Sequence, residues 1–150
     1  MLQTWYNGDY KQMIDEAVAT GTTPGQPDAY TINGHLGDTY GCPNDTIFRT
    51  QVNYGCTHLL RIINAAMNEL KLFSIANHTL TLVAQDTSYV KRFTSDYMMI
   101  NPGQTMDVLV VANQNAGVIT WLLGLSPMPL FGPLTSLPLE FLNIKIVWVD

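Results

Sequence analysis

The stretch YMMINPGQTMDVLVVA, residues 97–112, decides the fold class of this chain. Pro102 and Gly103 form a turn signal at its centre, because proline presets φ at the second turn position and glycine accepts the positive φ of the third. Residues 97–100 and 105–112 on either side are predicted strands. The second of these becomes apolar on both faces, which is typical of a strand at the centre of a sheet.

Further strand candidates lie upstream of this turn. They either alternate between apolar and polar residues or are rich in aliphatic side chains, which is the pattern of half-buried strands. Several short strands separated by turn signals indicate a β-sandwich or a barrel. The candidates are residues 46–52, 58–64, 79–85 and 90–94.

One short helix is predicted near the N-terminus, over residues 10–20. Asp9 is a suitable N-cap and Gly21 lies where a helix-ending glycine is expected. Apolar residues recur at helical spacing within this segment. The sequence GTTPGQP, residues 21–27, has the composition of a loop.

The composition limits the size of the fold and the class of partner. The 150 residues amount to about one domain, and 47% of them are hydrophobic whereas only 13% are charged. The formal net charge of −5 supplies no basic stripe, which argues against a nucleic-acid partner. No apolar run of about 18 residues is present, so we expect no membrane-spanning helix. The first residues lack a secretory signal pattern.

The histidines and cysteines are too few and too scattered to form an obvious metal or catalytic site. His35, His58 and His78 are not spaced for one strand or helix to present two imidazoles. Cys56 precedes His58 by two residues and could chelate a soft ion with it, but we interpret this pair as a surface thiol and a strand histidine. We interpret His78 as a donor or acceptor of a structural hydrogen bond.

Two N-x-[ST] sequons begin at Asn44 and Asn77. Each is a possible glycosylation site if the protein enters the secretory pathway.

Several stretches of the chain resemble the second domain of plant laccases, in the order and spacing of that family over about residues 3–117. The resemblance implies an all-β, cupredoxin-like Greek-key β-sandwich with one short N-terminal helix, formed by residues 1–118 as the middle of three such domains. The stretches are WYN (5–7), DAYTINGH (28–35), LLRIINAA (59–66), FSIANHTLT (73–81) and PGQT (102–105).

The same resemblance implies an oxidase that acts on phenols. Laccases remove one electron at a time from a phenol at a type 1 copper, and a trinuclear copper cluster reduces dioxygen to water. In plants this chemistry serves the polymerisation of lignin-type phenols in the apoplast. The implied partners are therefore the flanking laccase domains and a phenolic small molecule, and the implied location is extracellular.

The copper ligands of the family are His-x-His pairs and a His-Cys-His run in the first and third domains, and none occurs in this chain. We therefore expect this chain to bind no copper and to be inactive alone. A stand-alone extracellular cupredoxin-like binding module is the alternative. A small copper protein that uses Cys56, His58 and either Met67 or Met106 is the least favoured hypothesis, since no ligand spacing supports it.

Two residues carry roles that the resemblance implies. Asp86 matches the aspartate that ends a strand of the family and lies near the phenol pocket of related laccases, where a carboxylate could accept the phenol proton. The alternative for Asp86 is a solvated residue at a strand end. Cys42 matches a cysteine that bridges to another domain in the family, so we expect a free thiol here.

The resemblance stops at Ile119. Residues 119–124 and 136–145 can be written in codons that, read in one and the same shifted frame, encode peptides typical of laccases. We therefore predict that residues 119–150 are an aberrant, shifted-frame tail. This segment contains four prolines among apolar residues, so we expect it to be irregular, to leave the sandwich incomplete at its C-terminus and to lower solubility.

Overall fold

The computed structural model describes residues 1–36, 48–114, 118–125 and 141–147. Within these ranges the chain forms strands and one helix, α1 (Tyr10–Thr20), and the predicted all-β fold class is confirmed. The strands are β1 (Leu2–Trp5), β2 (Ala29–Ile32), β3 (His35–Leu36), β4 (Thr57–Ile63), β5 (Lys71–Ile75), β6 (Leu80–Gln85), β7 (Ser88–Ser95), β8 (Tyr97–Ile100), β9 (Thr105–Val111), β10 (Val118–Leu125) and β11 (Phe141–Val147).

The strands form one small sheet and two larger ones, and all of the paired strands are antiparallel. The small sheet has the order β1-β2-β3, and the larger sheets have the orders β4-β9-β6-β7 and β11-β10-β5-β8. Neighbours in the two larger sheets are often not consecutive in sequence, because the chain crosses from one sheet to the other, as in Greek-key sandwiches.

Strand β9 lies inside its sheet, between two paired strands, and contributes to the buried core. Val108 lies opposite Leu60 of β4 and Leu82 of β6, and its side chain is completely buried. Strand β9 therefore has neighbours on both edges, as predicted from its apolar character. The core comprises Leu2, Ile32, Ile62, Phe73, Ile75, Leu80, Met98, Ile100, Met106, Val108, Val110 and Ala112.

Capping and turn residues act as the sequence predicts. The Asp9 side chain accepts a hydrogen bond from the Lys11 backbone N–H at the start of α1. Gly21 ends the helix with φ 67° and Gly103 turns the chain with φ 78°, both in the left-handed region that glycine enters without steric cost.

Three sequence predictions need correction. The strand predicted over residues 46–52 is absent from its described part, 48–52. Phe48 and Val52 still pack against the core, so their alternation reflects burial without a paired neighbouring strand.

The second correction concerns β5, which the search for alternating residues missed. Its alternate positions Lys71, Phe73 and Ile75 are buried. A lysine at an inward position conceals the apolar alternation that predicts a strand.

The third correction concerns the C-terminal segment, for which irregular structure was predicted. Within it, β10 pairs with both β5 and β11, so the sandwich contains strands beyond Val118. The prolines at positions 127, 129, 133 and 138 all fall between these two strands in the sequence. The ladders therefore keep their backbone donors, which explains why proline did not prevent strand formation.

Candidate functional site

Asp86 lies at the tip of the hairpin that joins β6 to β7. Its φ of 52° places it in the left-handed region, which asparagine and aspartate tolerate better than most residues. The Asp86 N–H donates to the Thr105 carbonyl oxygen at 2.9 Å, and the Thr105 N–H donates to Asp86 Oδ1 at 2.9 Å. The carboxylate is exposed and therefore combines a structural hydrogen bond with access to solvent.

A buried polar junction connects the small sheet to the sandwich, and Asn64 is at its centre. Asn64 is completely buried, and its side-chain Nδ2 donates to the carbonyl oxygens of Glu69 and Ile100, each at 2.9 Å. Its Oδ1 accepts from the Ala66 N–H at 3.0 Å. One side chain thus satisfies backbone groups from two separate segments, which fixes the loop that follows β4.

Lys71, Glu69 and Tyr30 complete this polar junction. The Lys71 ammonium lies 2.5 Å from a Glu69 carboxylate oxygen and 4.0 Å from the centre of the Tyr30 ring. The Tyr30 hydroxyl donates to Glu69 at 3.1 Å. Burial lowers the pKa of Lys71 from its ordinary value, and the hydrogen bond and charge of Glu69 oppose that shift. The three groups satisfy one another and tie β2 to β5.

A second ion pair lies on the outer face of the sheet formed by β4-β9-β6-β7. Arg61 Nε and Nη2 donate to the two carboxylate oxygens of Asp107 at 2.9 and 3.0 Å. This bidentate contact lowers the pKa of Asp107 and raises that of Arg61. The pair links directly opposed positions of β4 and β9.

The histidines and Cys56 do not converge on a metal site. Cys56 is a free, exposed cysteine, as predicted, and His58 follows in β4 with a buried Nε2. His78 Nδ1 lies 2.7 Å from the Ala76 carbonyl oxygen, which confirms its predicted structural hydrogen bond. Among the described residues, no group of three His, Cys, Asp or Glu side chains could hold a metal ion. Cys42 lies outside the described residues.

The two methionines considered as axial copper ligands lie far from His58. His58 is opposite Val110, whereas Met106 is opposite Ile62, four residues further along the strand. At about 3.3 Å per residue, this separation is about 13 Å along the sheet. Met67 lies beyond that same distant end of β4, so neither methionine lies beside His58.

Of the two sequons, Asn77 lies within the described residues and Asn44 does not. Asn77 is exposed in the turn between β5 and β6, with φ 57°, and Thr79 is also exposed. The side chain of Gln114 donates to the Asn77 backbone carbonyl oxygen at 3.1 Å.

Sequence reasoning missed a cleft of about 290 Å³ beside the N-terminal strand. Its lining includes Trp5, Tyr6 and Tyr10, together with Met67 from the loop after β4. The density of aromatic residues in WYNGDY, residues 5–10, was the available signal. The contribution of Met67 could not be anticipated, because about sixty residues of chain separate it from that segment.

Comparison with known proteins identifies the family of this chain. The multicopper oxidase family model matches residues 1–123. This chain belongs to the multicopper oxidase family. Its cupredoxin-like sandwich and its resemblance to plant laccases are thereby confirmed.

Plant laccases are among the relatives of this multicopper oxidase chain. Putative laccase-5 of Oryza sativa subsp. japonica is 42% identical over 127 residues, which cover 85% of this chain and 23% of the relative. Laccase-12 of Arabidopsis thaliana is 47% identical over 114 residues, which cover 76% and 20%. The chain therefore spans about a fifth of the length of these relatives.

Solved structures of multicopper oxidases share the fold. The laccase from Botrytis aclada superposes with a TM-score of 0.66 at 25% identity, covering 93% of this chain and 30% of that one. Fet3p, a multicopper oxidase that functions in iron import, superposes with a TM-score of 0.69 at 22% identity, covering 99% and 26%. No helix in the described ranges is long and apolar enough to cross a membrane.

Proposed function

We propose that this chain supplies the middle, non-copper-ligating domain of a laccase-type phenol:dioxygen oxidoreductase. The observation that carries the proposal is the family match over residues 1–123, on a sandwich whose described residues bring together no three metal-ligating side chains. In this role the domain packs between two copper-bearing domains and contributes to the wall of the phenol pocket.

Copper supplies one-electron chemistry in the family, and the donor set of the described residues does not fit it. A type 1 site needs two histidines and a thiolate close together. Here Cys56 is exposed, while His78 Nδ1 lies within hydrogen-bonding distance of a backbone carbonyl. We therefore derive no step through copper for these residues, and we propose that the chain alone does not oxidise phenols.

Asp86 is the residue proposed to contact the phenol. Its exposed carboxylate keeps an acceptor for a substrate hydroxyl while Oδ1 holds the Thr105 N–H. Asp86→Asn is a sharp test, because asparagine accepts both the positive φ and the hydrogen bond while removing the charge. Within an active oxidase, we expect this variant to raise KM for phenols at unchanged copper content. An unchanged KM would assign Asp86 a structural role.

Extracellular location is also a proposal, and Asn77 offers a readout for it. When the chain is secreted from plant cells, we expect it to carry an N-linked glycan at Asn77. Glycosidase treatment should remove this glycan and lower the mass of the protein. Thr79→Ala destroys this sequon at an exposed position without touching the strained Asn77 backbone. Thr46→Ala is the matched variant for the sequon at Asn44. Secreted protein of unmodified mass with an intact Asn77 sequon would contradict this part of the proposal.

A domain exchange tests the main proposal. Residues 1–123 replace the matching segment of Laccase-12 of Arabidopsis thaliana, and copper content and phenol oxidation are measured. We expect a chimera that loads copper and oxidises phenols. A folded, secreted chimera without copper would favour the alternative, a stand-alone binding module, for which the aromatic cleft is the specific supporting feature.

We also propose that residues 119–150 derive from a shifted reading frame of a laccase gene. The codon argument above and the end of the family match at residue 123 support this origin. The β10 and β11 strands are compatible with it, since both are rich in β-branched and aromatic residues, which favour strands. Transcript sequencing across codons 118–150 is the test, and codons that encode no laccase peptide in the other frame would refute the proposal.

A further inference from the structure

The cleft beside the N-terminal strand has an aromatic lining that the proposed function does not use. Trp5 ends β1 and is 61% exposed, and Tyr10 begins α1 and is 64% exposed. Met67, from the loop that Asn64 holds in place, also lines the cleft. Large exposed aromatic side chains that share one concave surface commonly mark a binding site.

The side-chain polar atoms of Trp5 and Tyr6 are hydrogen-bonded within the chain. Trp5 Nε1 donates to Asn7 Oδ1 at 3.4 Å, and the Tyr6 side chain hydrogen-bonds with the side chain of Thr4. Burial raises the pKa of the Tyr6 hydroxyl, which therefore stays neutral at physiological pH. At Trp5 and Tyr6 the cleft consequently offers ring faces rather than free hydrogen-bonding groups. This disfavours a sugar, which needs several polar partners as well as a stacking surface.

The uncharged lining of the cleft disfavours an anionic ligand. Among the described residues, no charged side chain lines it. The nearby Lys71 ammonium is buried and already paired with Glu69. A carboxylate that entered the cleft would lose water without gaining a cation, which is unfavourable.

We propose that this cleft binds a neutral, planar aromatic ring, such as that of an aryl ether, on the faces of Trp5 and Tyr10. Offset stacking and edge-to-face contacts are favourable between such rings, and the Met67 thioether is suited to contact a ring edge. A volume of about 290 Å³ accommodates one substituted ring. The inference does not depend on the proposed function, because it requires neither copper nor oxidation.

Binding to the copper-free chain tests this site with three small probes. Saturation-transfer NMR and titration use 4-methoxybenzyl alcohol, 4-methoxybenzoate and cellotetraose. The first two probes present the same ring with and without a charge. We expect saturable binding of the alcohol, binding of the benzoate weaker by at least about fivefold, and no saturable binding of cellotetraose.

Three variants assign the binding to the cleft. Trp5→Ala removes a stacking face and should weaken binding of the alcohol by about tenfold. Ala65→Leu fills the cleft from an exposed position that lines it and should weaken binding similarly while every aromatic residue remains. Tyr89→Ala is the matched control, since Tyr89 is 94% exposed and lies on β7 outside the lining, and it should bind as the unaltered chain does.

The outcomes that would overturn the inference are distinct from failure of the domain exchange. One such outcome is that the alcohol shows no saturable binding. Another is that Trp5→Ala and Ala65→Leu bind the alcohol as tightly as the unaltered chain does. A third is that the chain binds the alcohol and the benzoate with equal affinity. Binding of cellotetraose that is lost in the same variants would identify a carbohydrate site instead.

Discussion

Two ion pairs of the sandwich differ in what surrounds them. Arg61 and Asp107 face solvent on the outer side of a sheet, whereas Lys71 and Glu69 lie in the polar junction with Asn64 and Tyr30. Exposed pairs contribute little to stability because water and salt screen them. Buried polar groups destabilise the fold strongly when one partner is lost. We infer that the junction specifies how the small sheet joins the sandwich, and that the outer pair adds only local order.

The largest expected effect is at Asn64. Asn64→Leu removes three side-chain hydrogen bonds and leaves buried backbone groups unpaired, so we expect a loss of about 4 kcal/mol in the free energy of unfolding. Urea unfolding followed by circular dichroism measures it. Asn68→Leu, at an exposed position of the same loop, is the control and should change stability little. If both variants lost the same free energy of unfolding, Asn64 would not be the residue that stabilises the polar junction.

The next effect concerns the buried charges. Glu69→Gln leaves the Lys71 ammonium buried without a counter-charge, and we expect a loss of about 3 kcal/mol in the free energy of unfolding. The double variant Glu69→Gln, Lys71→Met removes both charges and should be more stable than the single variant. A double variant that is less stable than Glu69→Gln would show that the pair does not behave as a buried one.

The pH dependence of stability should separate the two pairs by pH range, because the pKa values of Lys71 and Asp107 are both lowered and stability rises with pH in each window. Burial lowers the pKa of Lys71 below its ordinary value of 10.5, so between those two values the folded state holds fewer protons than the unfolded state. Stability relative to Lys71→Met should therefore rise with pH in this alkaline window. Unfolding free energies of both proteins across the window provide the measurement, and a falling difference would contradict the assignment.

The smallest effect is at the outer pair. The lowered pKa of Asp107 means that its contribution is present above pH 3.8 and is lost as the pH falls through the lowered value. Asp107→Asn should cause the smallest loss of the series at neutral pH and remove this acid-dependent component. The loss should also shrink with added salt. A loss comparable with that of Glu69→Gln would break the contrast between the pairs.

The sequence predicted the parts of the fold that depend on local pattern. Alternation and turn chemistry located β4, β6, β8 and β9, and capping residues located α1. They failed where tertiary context overrides the pattern. Lys71 occupies an inward position because Glu69 and Tyr30 neutralise and cover it, and no periodicity reveals such partners in advance.

Residues 48–52 show the opposite failure, since burial there produces the alternation of a strand although these residues form no strand. The candidate site was predictable only in part. Asp86 was found through a family resemblance, whereas its hydrogen bond to Thr105 depends on the pairing of β6 with β9. The aromatic cleft combines residues 4–10 with residues 65–67, which become neighbours when Ala65 N–H bonds to the Leu2 carbonyl oxygen.

The central claim is that this domain serves a copper oxidase without itself holding the metal. Incubation of the purified chain with copper, followed by removal of free metal, allows its copper content, visible absorption and oxygen consumption with a phenol to be measured together. We expect the purified chain to retain no stoichiometric copper, to show no blue absorption band and to consume no more oxygen than buffer does. A blue protein with stoichiometric copper that consumes oxygen with the phenol would contradict it.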